Sequence, residues 1–293
     1  MTLSRGLHDR VVTESVARAL SEIRRDDVRV DDLSAEEAAE RLSGVLHDQL
    51  QQILQGVDGR DADQVRAQLA LVNGLIAQLR GARHAGEILD PVDEPARVLR
   101  AVRRPGDTEL APPETGLWAP WLFSASKGSP SLLTELRREA AACDRINILV
   151  SFITLSGVRK LIDVLRTATA AGATGEGRTR IRVLTTTYTG ATEIEALEQL
   201  AGLGGCEVKV SLDGRRTRLH AKAWIFERST GFGSAYVGSA NLSGAALMGG
   251  LEWTTKFTQR GQQGLFDRAL AHFETLWADD EFTTYRPGDA ASR

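Results

Sequence analysis

The chain has 293 residues, 42% hydrophobic and 26% charged, with a formal net charge of −3. That is enough to bury a sizeable core in one large or two smaller domains, and any surface for a polyanion has to be local rather than global. No N-terminal apolar segment and no apolar run of about 18 residues occurs, which predicts no signal peptide, no membrane span and a cytoplasmic location.

Residues 1–102 read as helical. Apolar residues recur at helical spacing from Val12 to Ile23. Ser34 opens Ser-Ala-Glu-Glu, a capping box that starts a helix running through Leu42, Leu46 and Ile53 to Gly56. A further helix begins at Asp61 or Asp63 and closes at Gly81. This region suits either a dimerisation, docking or partner-binding module or a cap over the following domain. Residues 103–129 form a Pro/Gly-rich linker: five of the eight prolines fall between Pro91 and Pro113, and such a stretch cannot sustain a helix. Trp118 and Trp121 follow, placed to anchor the chain onto the next domain.

From residue 130 the pattern alternates. Helices are predicted at Ser131–Ala142, Ser156–Ala171 and Thr192–Leu203, and strands at Ile146–Ile153, Ile181–Thr187 and Cys206–Val210. Near-continuous apolar strands joined by helices indicate an α/β fold with a largely parallel sheet covered on both faces. After Ser211 come strands at Leu219–Phe226, Ala235–Gly238 and Leu251–Phe257, a helix start after Asn241, and a final helix containing Ala269–Trp277. The α/β domain spans 130–285, and 286–293 is a polar tail. Cys143 and Cys206 lack metal-ligand spacing and read as reduced core residues.

The chemistry concentrates in 219–253. His220 and Lys222 lie two apart, so on a strand they share a face. Gly238-Ser239-x-Asn241 follows the next strand, and Glu252 comes at the strand after that. His-x-Lys alone is a weak signal, but the set resembles the phospholipase D superfamily signature, His-x-Lys-x4-Asp with a downstream Gly-Ser-x-Asn. The resemblance covers roughly 130–280. Residues 185–192, 217–224 and Gly250-Leu-Glu-Trp253 are more narrowly similar to one branch, the phospholipase D-like domain N-terminal to DEAD/DEAH-type helicases in bacterial restriction and phage-defence proteins. The helical region 1–102 is similar to the segment that precedes that domain. The resemblance implies a phospholipase D-like mixed sheet, a nuclease, and a helicase partner in cis or in trans. It departs in one place: Glu227 occupies the position of the family aspartate, and the spacing from there to Gly238 is longer.

The residues also suit phosphodiester cleavage on their own terms. A neutral imidazole can attack phosphorus without the charge repulsion that hinders hydroxide, giving a phosphohistidine that water hydrolyses. A second imidazole must protonate the leaving alkoxide and then activate the water. The chain supplies one such histidine, so the reading requires a homodimer with His220 from each protomer, as the family resemblance also implies. Lys222 and Asn241 would bind non-bridging oxygens. Ser239 would add a donor or orient His220, and Glu252 would accept its other ring N–H and raise its pKa. No cofactor and no metal is called for, since His8, His47, His84 and His272 are scattered without ligand spacing. Arg215, Arg216 and Arg218 form a basic strip leading to His220, which fits a nucleic-acid strand or an ordinary solvated hairpin. Tyr188, in a loop after a strand, is a candidate base-stacking residue, Trp224 is read as core, and Ser151 could line the pocket. The expected partner is DNA, with RNA not distinguished. The competing reading is a catalytically weak nucleic-acid-binding module that positions a helicase.

Overall fold

The structure is a computed structural model. It describes every residue except 1, 2, 5, 25, 26, 81–89, 103–110, 127, 171–178, 213–218, 249–251 and 289–293. The chain divides into two compact units, 1–105 and 106–293. The first holds α1 (Glu14–Leu20), α2 (Ala35–Gln55) and α3 (Asp61–Arg80). The Ser34 hydroxyl accepts from the Glu37 amide at 3.3 Å, and Gly56 caps the C-terminus of α2, as the capping box predicts. Gln64 and Gln68 on α3 donate to the Val57 and Leu54 carbonyls, closing the α2–α3 turn. The predicted stop at Gly81 lies outside the described residues.

The second unit is an eight-stranded mixed sheet between helices, the α/β architecture expected. Its elements are β1 (Trp121–Phe123), α4 (Leu132–Ala141), β2 (Arg145–Leu149), α5 (Leu155–Val158), α6 (Ile162–Thr169), β3 (Arg180–Thr186), α7 (Ile194–Ala201), β4 (Cys206–Ser211), β5 (Ala223–Glu227), β6 (Ser234–Gly238), α8 (Gly244–Met248), β7 (Thr254–Thr258), α9 (Gln263–Ala278) and β8 (Phe282–Thr284). The strand order is β1-β7-β6-β5-β2-β3-β4-β8. Among the described strand ladders, β2–β3 and β3–β4 are parallel and the others antiparallel. The parallel share is therefore smaller than predicted: β5 and β6 are joined by only 228–233, too few residues for a crossover, and β7 returns antiparallel to β6 although α8 lies between them.

Alternation along each strand separates two cores. Ile146, Ile148, Val183, Trp224, Phe226 and Tyr236 face one side, packed with Leu136, Leu165, Leu197 and Leu247 from α4, α6, α7 and α8. Leu149, Leu184, Ile225 and Phe257 face the other, against Phe266 and Phe273 of α9. Trp224, read from sequence as core, is buried, and it stacks on Phe226 at 6.3 Å. Cys143 is buried and Cys206 half-buried, both as free thiols, and burial pushes the Cys206 thiol up to about 12.

Three predicted elements differ. The helix expected over 156–171 is split, and the Lys160 carbonyl in the break is taken by the Arg137 guanidinium at 2.6 Å. The stretch read as linker contributes edge strand β1, with Trp121 paired to Lys256. The indoles of Trp118 and Trp121 are exposed rather than docked; Trp118 is held by its carbonyl, which accepts from the Thr258 hydroxyl at 2.7 Å. β5 begins at Ala223, so His220 and Lys222 precede the strand on which they were placed.

A buried charge network locks α4 onto β6 and β7. Lys256, Glu135 and Glu139 are each 0% exposed. The Lys256 ammonium contacts Glu139 at 3.1 Å and donates to Thr115 Oγ1 and the Gly116 carbonyl. Glu139 also accepts from Arg228 at 2.5 Å and from the Tyr236 hydroxyl at 2.8 Å. Burial pushes the Glu139 carboxyl up, but Arg228 and Lys256 outweigh it and leave the pKa below the usual value.

Candidate phosphodiester site

Antiparallel pairing brings the sequence-predicted residues to one end of the sheet. Leu149 pairs with Ala223, Ala223 with Val237, and Gly238 with Thr254. The residues just beyond these positions therefore emerge together: His220 and Lys222 before β5, Ser239 and Asn241 after β6, and Glu252 before β7. Tyr188 follows β3 at the same end and is 39% exposed. The ladder carries on one step past β5, where the Gly238 amide donates to the Lys222 carbonyl at 3.1 Å.

Lys222 is 5% exposed, while His220 is exposed. The Lys222 ammonium lies 3.0 Å from His220 Nδ1 and donates to the His220 carbonyl at 2.7 Å. An ammonium that donates to Nδ1 leaves the proton of a neutral ring on Nε2. Burial pushes the Lys222 pKa down, and Glu252 nearby offsets this in part. A cation that is desolvated and incompletely paired gains from an arriving anion.

Asn241 is 8% exposed, and its Oδ1 accepts from the Ser151 and Phe152 amides at 3.0 and 3.3 Å. Both are donors, so the amide orientation follows from its partners, and Nδ2 remains as a donor. The adjoining backbone is tied down as well: Leu242 bridges Ile153, and its carbonyl accepts from the Thr154 amide at 3.0 Å. A Cβ on Gly157 would stand 2.3 Å from that carbonyl, so the approach requires glycine. Ser151, flagged from sequence as a lining residue, is 1% exposed, and its hydroxyl has no hydrogen-bond partner among the described residues.

Two predicted contacts are not formed. Glu252 is half-buried and close enough to act electrostatically on Lys222, but among the described residues it makes no hydrogen bond to His220; Lys222 stands at Nδ1 instead. The Ser239 hydroxyl bonds to the backbone of Trp253 rather than to His220, accepting from its amide at 3.1 Å. Arg215, Arg216 and Arg218 lie outside the described residues. Sequence reasoning missed the Ser151 and Phe152 amides and Gly157, which carry no side-chain signal, and it gave no role to Trp253. Among the described residues, no group of three or more His, Cys, Asp or Glu is placed to hold a metal ion. No described helix is long and apolar enough to cross a membrane.

Glu227 lies at the opposite end of β5. Its carboxylate accepts from Asn147 Nδ2 at 2.8 Å and is 3.6 Å from Arg145. Asn147 in turn binds Arg182, which pairs with Glu274 and lies over the Phe273 ring. Glu227 thus sits in a framework of ion pairs, about 16 Å along the chain from Lys222 at the rise of a strand.

The chain is similar in structure to NucT from Helicobacter pylori (13% identity, covering 57% of this chain and 99% of that one, TM-score 0.42). It is also similar to Nuc from Salmonella typhimurium, described as a phospholipase D family member (14%, 57% and 99%, 0.42). A third likeness is to phosphatidylserine synthase from Haemophilus influenzae (13%, 57% and 39%, 0.39). With TM-scores of 0.42 or less, these likenesses do not decide an activity. No family model matches the chain, and no curated protein does.

Proposed function

We propose that the chain is a metal-independent phosphodiesterase of phospholipase D type, most specifically a DNA nuclease. The observation that carries this is the meeting of His220, Lys222 and Asn241 at one sheet end, with Lys222 desolvated and Asn241 Nδ2 left as a donor. Lys222 is placed by β5, and Asn241 by β6, the amides after β2 and the close approach of α5, which is the fixed placement that stabilisation of a developing anion requires.

In this reading a His220 ring nitrogen attacks phosphorus. An N–P bond forms, the P–O bond to the leaving alkoxide breaks, and that alkoxide takes a proton from His220 of a second protomer. Water then attacks the phosphohistidine, the second His220 takes its proton, and the N–P bond breaks. Lys222 and Asn241 hold the non-bridging oxygens throughout. Attack needs an unprotonated ring nitrogen, and Lys222 donating to a phosphate oxygen in place of Nδ1 supplies one. The resemblance of the sequence to helicase-associated defence proteins supports a role in restriction or phage defence beside a DEAD/DEAH-type helicase.

The test is cleavage of DNA in excess chelator by the dimer. The parent protein cleaves, His220→Ala does not, and mixing parent with His220→Ala subunits lowers activity faster than the parent fraction falls. A monomer by light scattering at micromolar concentration contradicts the composite site. Intact DNA with tight, unimpaired binding by both proteins favours a binding module that positions a helicase.

A further inference from the structure

We infer that Thr254 is a further catalytic residue, its hydroxyl donating to the non-bridging phosphate oxygen that Lys222 holds. The inference rests on the phosphodiesterase reading of the same site.

Among the described residues, four buried hydroxyls have no hydrogen-bond partner: Ser151, Thr185, Ser234 and Thr254. A buried polar group without a partner is costly, so each calls for an explanation. Ser234 pairs with Phe226 and Thr258, at the end of the sheet away from His220. The other three lie at the end where His220 and Lys222 emerge.

Register puts two of these three on one rung with Lys222. Thr254 pairs with Gly238, whose amide donates to the Lys222 carbonyl at 3.1 Å. On the other side of Lys222 the rung continues through Val150 to Thr185, one step beyond the pairing of Leu149 with Ala223 and Leu184. The sheet face is also shared. Trp224 pairs with Tyr236 and Tyr236 with Lys256, and both rings belong to the core beneath α4 and α8. Lys222, Gly238 and Thr254 each lie two residues from that row and so belong to the same face.

The two sides of Lys222 differ. Val150 is fully buried in that core and separates Lys222 from Thr185. Gly238 has no side chain, and the Thr254 hydroxyl oxygen lies 2.7 Å from where its Cβ would stand. That Cβ would also be 2.1 Å from the Trp253 carbonyl, so the position requires glycine. The Thr254 hydroxyl is therefore turned toward β5, across a position that no side chain fills. Lys222 bounds that position on its far side, with the flanking backbones about 10 Å apart. Thr258, four residues on in the same strand and on the same face, donates to the Trp118 carbonyl at 2.7 Å. Thr254, at the site end, has no such acceptor, and a phosphate oxygen beside the Lys222 ammonium supplies one. As negative charge grows on that oxygen in the pentacoordinate state, both bonds strengthen.

The experiment measures orthophosphate binding by calorimetry in excess chelator, and kcat for DNA cleavage, in the parent, Thr254→Val and Thr254→Ser. Valine matches threonine in shape and deletes the hydroxyl. Thr254→Val is expected to bind orthophosphate about tenfold more weakly and to lower kcat about a hundredfold. Thr254→Ser keeps most of both. The urea midpoint of Thr254→Val stays level or rises, since no bond within the protein is lost. Unchanged phosphate affinity in Thr254→Val overturns the inference, as does unchanged kcat in an active protein or a parent that binds no orthophosphate. A lowered urea midpoint assigns the hydroxyl to the fold and overturns it too. A parent that binds orthophosphate through Thr254 but leaves DNA intact defeats the phosphodiesterase reading alone.

Discussion

Two buried lysines, one in the middle of β7 and one just before β5, are treated in opposite ways. Lys256, fully buried in β7, faces Glu139 and Glu135, a threonine hydroxyl and a carbonyl. Each donor is used, and the group binds α4 to the sheet. Lys222, just before β5, has its own His220 ring and carbonyl and the nearby charge of Glu252, and its pKa is depressed by burial. An ion buried with full pairing is a structural part; an ion buried short of a partner is held ready for one that arrives from solution.

That contrast can be broken by substitution. The largest effect expected is on turnover: His220→Ala lowers DNA cleavage about a thousandfold or more, and Lys222→Met roughly a hundred- to a thousandfold. Lys222→Met also removes a poorly paired buried charge, so urea unfolding is expected to show unchanged stability or a gain of about 1 kcal/mol. Lys256→Met should do the reverse. It leaves Glu135 and Glu139 without their cation and costs about 3–5 kcal/mol in the same titration, with catalysis retained in whatever fraction stays folded. If Lys222→Met destabilises as much as Lys256→Met, the distinction between the two sites fails.

pH separates them further. The Glu139 pKa is depressed in the folded state, so its contribution is present above the ordinary carboxylate pKa and is lost as pH falls through the folded value. Thermal unfolding should weaken on the acid side, and less steeply in Glu139→Gln measured against its own neutral-pH stability. Lys222 loses its proton at lower pH than an ordinary lysine, so cleavage should fall on the alkaline side before a free lysine would titrate. An alkaline limb unmoved by Lys222→Arg would count against Lys222 as its source. The smallest effect is at Glu227. Its partners are Asn147 and Arg145, far from His220, so Glu227→Asp should change cleavage by no more than about twofold and stability by about 1 kcal/mol or less.

Much of the α/β frame was legible because its signals are local. The apolar runs at 146–149 and 181–184, the capping box at Ser34 and the Gly-Ser-x-Asn turn each declare themselves within a few residues. Strand direction was harder. A strand buried on both faces reads the same in parallel and antiparallel pairing, so β5–β7 were legible as strands joined by short segments after the helices stop at Ser211, but not in their direction. Strand β1 was hidden because three residues after a proline-rich stretch carry no period, and its partner β7 lies about 130 positions further along the chain. At the site, His220, Lys222 and Asn241 were legible by residue type. Their partners were not: Asn241 is anchored by backbone amides of Ser151 and Phe152, and any sequence has those. Glu252 was assigned to His220 by spacing and strand context, and the structure places Lys222 at His220 Nδ1.

The central claim is that His220 becomes covalently bound to phosphorus. The direct measurement is the protein recovered after brief reaction with internally radiolabelled single-stranded DNA in excess chelator. The account predicts a phosphoramidate on His220, stable in alkali, lost in acid and absent from His220→Ala. DNA cleaved at full rate with no label on the protein, or with the label on another residue, would contradict it.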